Sequence, residues 1–437
     1  MLRIARRALL AANDRIGPDL RLQVLVNNSD GFSHSYGSHL SVLITRAAWD
    51  RLFHHRLPQL LMLAAYQASS IVFTGQGKVG SENGSAPARY QIAQRADFFE
   101  QIVAAQTTYA RPIVNSRDES LCGPRAWEGS ARARDRMARL HCIFYDNTLC
   151  PVATLLKGGV LQIVLAMLEA DWLDLGLVLD SAVQAVHVWS HDPDLRATAR
   201  LLSGRRRTAV ELQLDFLDAA RRFVDAGGAE GIVPRAREIL ELWQDTVACL
   251  EARDHDALAR KLDWVLKRRI LTDVLDRRPD LDWDSPELKI LDHLYADLDL
   301  EEDLYWAHER AGLVDAVVPE AAVEHFTHEP PDDTRAWTRA MLLRAAGGAR
   351  IEAVDWDRVR IHSPTDAPGG PRAIEMSDPT SFTRAHTEGI FRSSSCLEEI
   401  LGRLRPSTDA RPAHDPSRAV GGPALEPARA INGKGEM

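Results

Sequence analysis

The spacing of apolar residues changes along this chain, and the change limits the folds open to it. In the first third, Leu22, Val24 and Val26 alternate with the residues between them and lead into a polar turn, and residues 39–45 are predicted to form a second strand after that turn. From about residue 155 to residue 283, apolar residues recur at helical spacing. The first pattern is typical of strands and the second of helices. Together they predict an α+β fold.

Shorter signals predict further elements. Residues 47–69 have helical spacing with a break at Pro58, because proline removes a donor and clashes with the preceding turn. Residues 71–73 and 90–95 are predicted to be strands on either side of a loop. Residues 97–109 have helical spacing and are predicted to be a helix.

The chain divides into three predicted segments. Residues 1–332 form a large domain, and residues 333–404 form a small mixed C-terminal domain. Residues 405–437 are rich in proline, with scattered glycine and alanine. Their apolar surface is too small to offset the entropy of ordering, so this tail is predicted to be disordered.

Composition excludes several classes of protein. The net charge of -9 argues against a duplex nucleic-acid partner, because phosphate binding requires a clustered basic face. Five cysteines form no paired CxxC motif and suit a reducing cytosol. No apolar run approaches the roughly 20 residues of a membrane span. These observations predict a cytoplasmic protein with no membrane partner.

Two patterns resemble known motifs but lack their context. Gly75, Gly77 and Gly80 imitate a dinucleotide fingerprint, yet the helix that should follow is replaced by polar loop residues, which favours a glycine-rich loop. His187 and His191 lie four residues apart, but no third ligand accompanies them, so ordinary helix or cap histidines are the favoured interpretation.

Groups suited to anions are concentrated between residues 89 and 141. Arginine presents a planar fork that matches phosphate or carboxylate, so several converging arginines would bind an anion. Solvated faces and surface ion pairs explain the same residues and are somewhat favoured, because surface pairs are common and individually weak. Both interpretations stay open on these residues, which are Arg89, Arg95, Arg111, Asn115, Arg117, Arg139 and His141.

Several segments, taken in order, resemble one family, the prokaryotic ubiquitin-like protein (Pup) ligases and depupylases. Residues 27–31 and 35–39 are similar to its NNxD…SYGxHENYL motif. Residues 94–100 resemble its QRADxxE segment, residues 111–119 its RPIxNxRDE motif and residues 139–141 its RRLH. The similarity extends over about residues 20–404. Residues 74–80 and 96–100 look more like the deamidase and depupylase branch than the ligase branch.

The resemblance implies a fold and a reaction. The fold would be a partial glutamine-synthetase-like antiparallel sheet that cradles ATP or ADP and magnesium, with helices behind it. Ligases of the family phosphorylate the C-terminal glutamate of Pup, and a substrate lysine then displaces the phosphate. Depupylases hydrolyse that isopeptide bond, or the amide of a C-terminal glutamine, in the same site. Pup and pupylated proteins would be the partners.

The resemblance also implies roles for individual residues. His39 would be a ligand in the metal or nucleotide site. The residues that would contact phosphates or the Pup carboxylate are Arg95, Arg111, Asn115, Arg117 and His141.

Some of the family's chemistry is absent from the sequence. Neither its GxExE motif, whose carboxylates hold magnesium, nor its HPEY segment occurs. Where the family has HEN, this chain has His39, Leu40 and Ser41. Three hypotheses follow: a depupylase or deamidase completed by a separately encoded N-terminal fragment, a Pup ligase in the same condition, or a noncatalytic Pup- or nucleotide-binding relative. The first is preferred as the description of the family.

Overall fold

The computed structural model describes residues 2–17, 19–118, 137–172, 174–299, 304–362 and 371–404. Its buried apolar residues form two clusters. The larger cluster extends from Leu9 to Val314, and the smaller from Leu342 to Leu404. The predicted boundary between residues 332 and 333 falls between these clusters and stays a prediction. The tail predicted to be disordered lies outside the described residues.

Helices are the major element of the described chain. They are α1 (Leu2–Ile16), α2 (Arg46–Asp50), α3 (Leu57–Thr74), α4 (Pro151–Glu169), α5 (Ala182–Ser190), α6 (Ala209–Asp225), α7 (Ala236–Ala252), α8 (His255–Ala259), α9 (Asp263–Arg277), α10 (Pro286–Leu294), α11 (Tyr305–Arg310), α12 (Glu320–His328), α13 (Ala336–Ala346), α14 (Arg384–Ser393) and α15 (Leu397–Arg403). The helices α4 to α9 confirm the prediction that the middle of the chain is mostly helical.

The described residues also include eleven short strands. They are β1 (Ser38–Ile44), β2 (Lys78–Val79), β3 (Tyr90–Gln91), β4 (Phe99–Ala104), β5 (Arg111–Asn115), β6 (Ala138–Tyr145), β7 (Ala199–Arg200), β8 (Arg206–Arg207), β9 (Ile351–Val354), β10 (Arg358–Ile361) and β11 (Arg372–Glu375). The mixture of helices and strands confirms the α+β prediction.

The strands pair mainly in antiparallel ribbons. β1 pairs with β6, β2 with β3, and β7 with β8, while β10 lies between β9 and β11. β4 and β5 are parallel, which differs from the purely antiparallel sheet that the resemblance implies. β5 also lies beside β6, so the parallel pair adjoins the β1–β6 ribbon.

Helices α3 and α4 form the centre of the larger core. Both are long and apolar enough to cross a membrane by length and composition, which corrects the sequence-based expectation that no such run exists. Within their most apolar windows, 83% and 72% of the residues are buried inside the fold. Such burial is the usual property of core helices. α3 has Pro58 in its first turn, where a missing N–H costs nothing, and the predicted break is confirmed there.

Four local predictions are wrong in whole or in part. Residues 71–73 form the last turn of α3 rather than a strand, because the apolar run continues a helix that is buried on all sides. Residues 97–109 contain a short 3₁₀ turn followed by β4, because pairing with β5 overrides the helical spacing. In residues 22–26 only Leu25 makes an isolated bridge, to Asp297, and in residues 90–95 only Tyr90 and Gln91 are in a strand.

Candidate functional site

The β1–β6 ribbon carries a group of polar side chains on the side that also holds Leu43, and apolar side chains on the other side. Ser41 lies directly opposite His141, and Leu43 lies opposite Arg139. Since side chains alternate along a strand, His39, Ser41, Arg139 and His141 share one side, which we call the ribbon face. Neither strand contains Asp or Glu, so the ribbon face has no carboxylate of its own.

The opposite side of the ribbon packs on the core. Leu40 and Val42 are partly buried against the larger apolar cluster, and Leu140 and Cys142 are buried in it. This packing fixes the register, because a shift of one residue would bury the polar set and expose the apolar one. The position of the ribbon face therefore follows from the alternation in the sequence.

His39 and His141 form the centre of the ribbon face. The Nδ1 atom of His39 lies 3.3 Å from Nε2 of His141, and the two rings meet edge to face with centroids 5.1 Å apart. The pairing register shifts between Ser38 and Leu40, next to His39. His39 is exposed, whereas His141 is buried beneath it.

Positive charge surrounds His39. Burial, followed by the charges of Arg95, Arg111 and Arg139, lowers the pKa of His39 below its usual 6.5. The imidazole is therefore neutral at pH 7, and the arginines supply the charge of the site. Such an arrangement of cations favours a bound phosphate or carboxylate, which is the first of the two interpretations that the sequence left open.

Arg111 is the arginine best placed to bind a ligand. Its Nε atom donates to the carbonyl of Thr107 at 3.2 Å, and its Nη2 atom donates to the carbonyl of Ser35 at 3.0 Å. Among the described residues, none accepts a hydrogen bond from Nη1. Burial lowers the pKa of Arg111, and the nearby charge of Glu100 partly offsets this. The half-buried guanidinium is oriented by two loops and keeps one nitrogen for an anion.

Arg95 supports the site from inside the fold. It is 1% exposed, and its Nη1 atom donates to the carbonyls of Ile143 and Tyr145 while its Nε atom lies 3.3 Å from the hydroxyl of Ser35. Burial lowers its pKa to about 10. A Cβ atom at Gly37 would lie 2.5 Å from Nη1, so any larger residue there would have to displace the guanidinium. The predicted contact of Arg95 with phosphate stays a prediction.

Asn115 and Arg117 lie at the end of β5. The Nδ2 atom of Asn115 donates to the carbonyls of Ala104 and Gln106 at 3.2 and 3.0 Å, and Oδ1 accepts from the amide of Arg117 at 3.1 Å. Asn115 is 2% exposed, so its described bonds hold the loop between β4 and β5. The ligand contacts predicted for both residues stay predictions.

The ribbon face does not fit magnesium. Its donors are two imidazoles and one hydroxyl, whereas magnesium prefers carboxylate and water oxygens. In the part of the chain that the structure describes, no group of three or more His, Cys, Asp or Glu side chains could hold a metal ion. Three arginines beside His39 would also repel a cation. The prediction that His39 binds a metal is therefore not supported by the donors described here.

A buried carboxylate that the sequence analysis did not single out lies next to the site. Asp97 accepts hydrogen bonds from Lys78 at 2.7 Å, Gln91 at 2.7 Å and the amide of Glu82 at 2.9 Å, and its Oδ1 atom lies 3.0 Å from Nε2 of His191. Burial alone would raise its pKa, but His191 and Lys78 hold it well below the usual 3.8. Asp97 therefore stays ionised.

The structure also explains the glycine-rich loop and the pair of histidines, His187 and His191, that the sequence contains. Lys78 of the glycine-rich loop is paired inside the fold, and Gly77 has φ +83°, with a hypothetical Cβ only 2.0 Å from the hydroxyl of Tyr90. His187 contacts the carbonyl of Phe99 at 3.0 Å. No spacing in the sequence links Lys78 or His191 to Asp97, so only the structure could reveal the cluster.

Known proteins resemble this chain in sequence. The sequence profile of the family described as Pup-ligase protein matches residues 2–360. The chain belongs to the Pup ligase family. The depupylase of Acidothermus cellulolyticus is 35% identical over 386 residues, which cover 88% of this chain and 72% of that protein. The Pup–protein ligase of Acidimicrobium ferrooxidans is 33% identical over 371 residues, which cover 85% and 76%.

A solved structure supports the fold. The Pup ligase PafA in complex with ADP matches with a TM-score of 0.73 at 24% identity, covering 92% of this chain and 82% of that one. The family motifs shared with this chain lie largely inside the fold. Asn28 donates to Gln76 and Gln94 at 3.0 Å each and accepts from the amide of Asn147 at 2.7 Å. In this member of the Pup ligase family, these hydrogen bonds hold the loop before β1 in place.

The electrostatics of His39 give a testable prediction. In NMR titrations its imidazole is expected to titrate below pH 6.5, and added phosphate is expected to raise the apparent pKa, because an anion offsets the arginine charges. Arg111→Ala should also raise the pKa, since it removes one of those charges. A His39 pKa that responds to neither change would contradict the proposed anion site.

Proposed function

We propose that this chain hydrolyses Pup linkages, either the isopeptide bond to a target lysine or the amide of a C-terminal glutamine, with a nucleotide bound. The observation behind this proposal is the ribbon face together with Arg111 of β5: Arg111 and Arg139 lie near His39, and neither β1 nor β6 contains a carboxylate. Such a face suits the carboxylate of Pup or the phosphates of a nucleotide.

The choice of hydrolysis rests on the relatives and the motifs. The Acidothermus protein and one from Mycolicibacterium smegmatis, each 35% identical, are named depupylase and Pup deamidase/depupylase. Residues 74–80 and 96–100 also resemble that branch. The proposal places the chain in the cytoplasm, where reducing conditions keep cysteines such as Cys142 and Cys150 as thiols.

Arg111 and the residues of the ribbon face have different roles in the proposed hydrolysis. The Nη1 atom of Arg111 and the guanidinium of Arg139 stabilise negative charge, which is most effective when the donors are already oriented. The neutral imidazole of His39 can accept a proton at Nε2, an atom with no partner among the described residues. A bound nucleotide would supply phosphates and, in a ligase, the phosphoryl group.

Two other functions have specific support. The Pup–protein ligase of Micrococcus luteus is 34% identical over 377 residues, and PafA has also been solved in complex with Pup, which favours ligation by a similar fold. A noncatalytic role in binding Pup or nucleotide is favoured by Leu40 and Ser41, which replace a carboxylate and an amide of the family motif.

One experiment separates the three functions. The purified chain is incubated with ATP or ADP and magnesium, and with either a fluorescent peptide linked to Pup through lysine or Pup ending in glutamine. We expect falling fluorescence anisotropy as the peptide is released, and conversion of glutamine to glutamate in the mass spectrum. Conjugates formed from Pup ending in glutamate would identify a ligase. Pup or nucleotide binding by calorimetry without turnover would identify the noncatalytic relative.

A further inference from the structure

The positive charge of this chain is carried almost entirely by arginine. The sequence has 47 arginines and six lysines, which together make the 53 basic residues. The two cations differ chemically, because a lysine amine becomes a nucleophile when it loses a proton, whereas the guanidinium stays protonated and unreactive. The positions of the few lysines therefore decide which groups of the chain can be acylated.

Three lysines are buried and held by hydrogen bonds. Lys78 is 1% exposed and pairs with Asp97 at 2.7 Å. Lys267 is fully buried and pairs with Asp292 at 2.8 Å. Lys157 is 4% exposed and donates to the carbonyl of Asp146 at 3.0 Å. Lysine is almost never fully buried unless paired, so each of these ammonium groups has a structural task.

Two further described lysines lie nearer the surface. Lys289 donates to the carbonyl of Val79 at 2.6 Å, lies 3.9 Å from Asp292, and has a side chain 32% exposed. Lys261 follows α8 and is partly buried, and its ammonium has no hydrogen bond or ion pair with any described residue. None of the five lysines that the structure describes reaches the exposure usual for this residue type. The sixth, Lys434, lies outside those residues.

We expect burial, rather than protonation, to limit the reactivity of Lys157. Burial lowers its pKa to about 8, although Asp263 and Asp146 oppose the shift. A larger fraction of its amine is therefore neutral at pH 7 than for an ordinary lysine. Its Nζ atom lies 3.3 Å from the hydroxyl of Ser38, at the start of β1 and behind the ribbon face. An activated acyl group on the ribbon face would meet arginine and histidine side chains and the hydroxyl of Ser41, but no lysine, among the residues described there.

We propose that four of the five described lysines, all but Lys261, resist isopeptide formation by the chemistry of the chain's own pathway, because hydrogen bonds and burial hold each of their amines in the fold. Conjugation requires a neutral amine to attack an activated glutamyl carbonyl. The C–N bond forms, the C–O bond to phosphate breaks, and the ammonium proton passes to solvent. This inference rests on membership of the pathway and not on which activity the chain has.

The test measures amine reactivity in the folded, full-length chain. A succinimidyl acetate serves as the activated acyl group, and peptide mapping by mass spectrometry follows each lysine. Buried lysines should react only through local opening, about tenfold or more slowly than an exposed lysine. The reference is Arg237→Lys, whose parent side chain is 70% exposed, or Arg392→Lys, whose parent is 73% exposed. Comparable rates at Lys78, Lys157 or Lys267 would overturn the proposal.

A second arm uses a Pup–protein ligase with ATP, magnesium and Pup ending in glutamate. The Lys261→Arg, Lys434→Arg double variant should remain unconjugated, and adding Arg237→Lys to it should restore a conjugate. Samples are taken early, before the chain can remove its own conjugates. A conjugate on the double variant, or none after Arg237→Lys, would show that lysine placement does not protect the chain. Failure of hydrolysis in the earlier assay leaves both results unchanged, so the two proposals fail separately.

Discussion

Lys267→Met is expected to lower the free energy of unfolding by about 3–5 kcal/mol, because it leaves a buried charge without its partner. Lys267 donates to Asp292 at 2.8 Å and to the carbonyl of Gly77 at 2.9 Å, and both charged side chains are 1% exposed. Methionine fills a similar volume but cannot neutralise Asp292. Urea unfolding followed by tryptophan fluorescence measures the change.

A matched control comes from the same helix. Arg269 pairs with Asp256 at 2.9 Å, with side chains 52% and 88% exposed. Exposed pairs of this kind contribute at most about 1 kcal/mol, so Arg269→Met should have little effect. If Lys267→Met is no more destabilising than Arg269→Met, the buried pair does not stabilise the fold as argued.

The same pair predicts a dependence on acid. Burial raises the pKa of Asp292, but the charges of Lys267 and Lys289 outweigh it and leave the pKa below the usual 3.8. A carboxyl group with a lowered pKa stabilises the fold above its unfolded pKa, and the contribution is lost as the pH falls through the folded pKa. Between about pH 5 and the folded pKa, Lys267→Met should therefore lose less stability than the parent chain.

Arg111→Ala is expected to raise the Kd for ATP, or for Pup ending in glutamate, about ten- to hundredfold. A hydrogen bond to a charged group contributes about 1.5–3 kcal/mol, and about 1.4 kcal/mol corresponds to a factor of ten. Arg111→Lys keeps the charge but loses the fork that donates to Ser35 and Thr107, so it should restore only part of the affinity. Calorimetry at fixed ionic strength gives the Kd values.

The control for this variant is Arg89→Ala, which removes an exposed arginine from the loop before β3. It should leave the Kd within about twofold, because exposed charges are well screened. Equal affinities for the parent chain and Arg111→Ala would remove Arg111 from the site. Raising the salt concentration should weaken binding by the parent chain more than binding by Arg111→Ala.

Elements with local signals were predictable from the sequence. The strand β1 was predicted after the polar turn, and the start of α3 was predicted from the chemistry of Pro58, each within a few residues. His39 and His141 were placed in one site by the family motifs, and the ribbon register brings them together. In both cases the information is local or is carried by a recognisable pattern.

Elements that depend on distant partners were not predictable. Residues 71–73 have the β-branched composition of a strand, yet they complete a helix because every side of α3 is buried. β4 exists because β5 pairs with it, and Leu25 bridges only Asp297, far along the chain. The burial of Arg95 beneath Ser35 could not be recognised from a motif, and its predicted contact with phosphate stays a prediction.

The two-sided β1–β6 ribbon has a consequence for how such a site can diverge. Leu40 packs toward the core, whereas His39 and Ser41 lie on the polar side. Adjacent codons of one motif are therefore under unrelated selective constraints. A substitution at position 40 affects packing against the core, and a substitution at position 41 affects what the ribbon face binds. A related protein could differ from the family motif at one of these positions while the binding surface beside it stays intact.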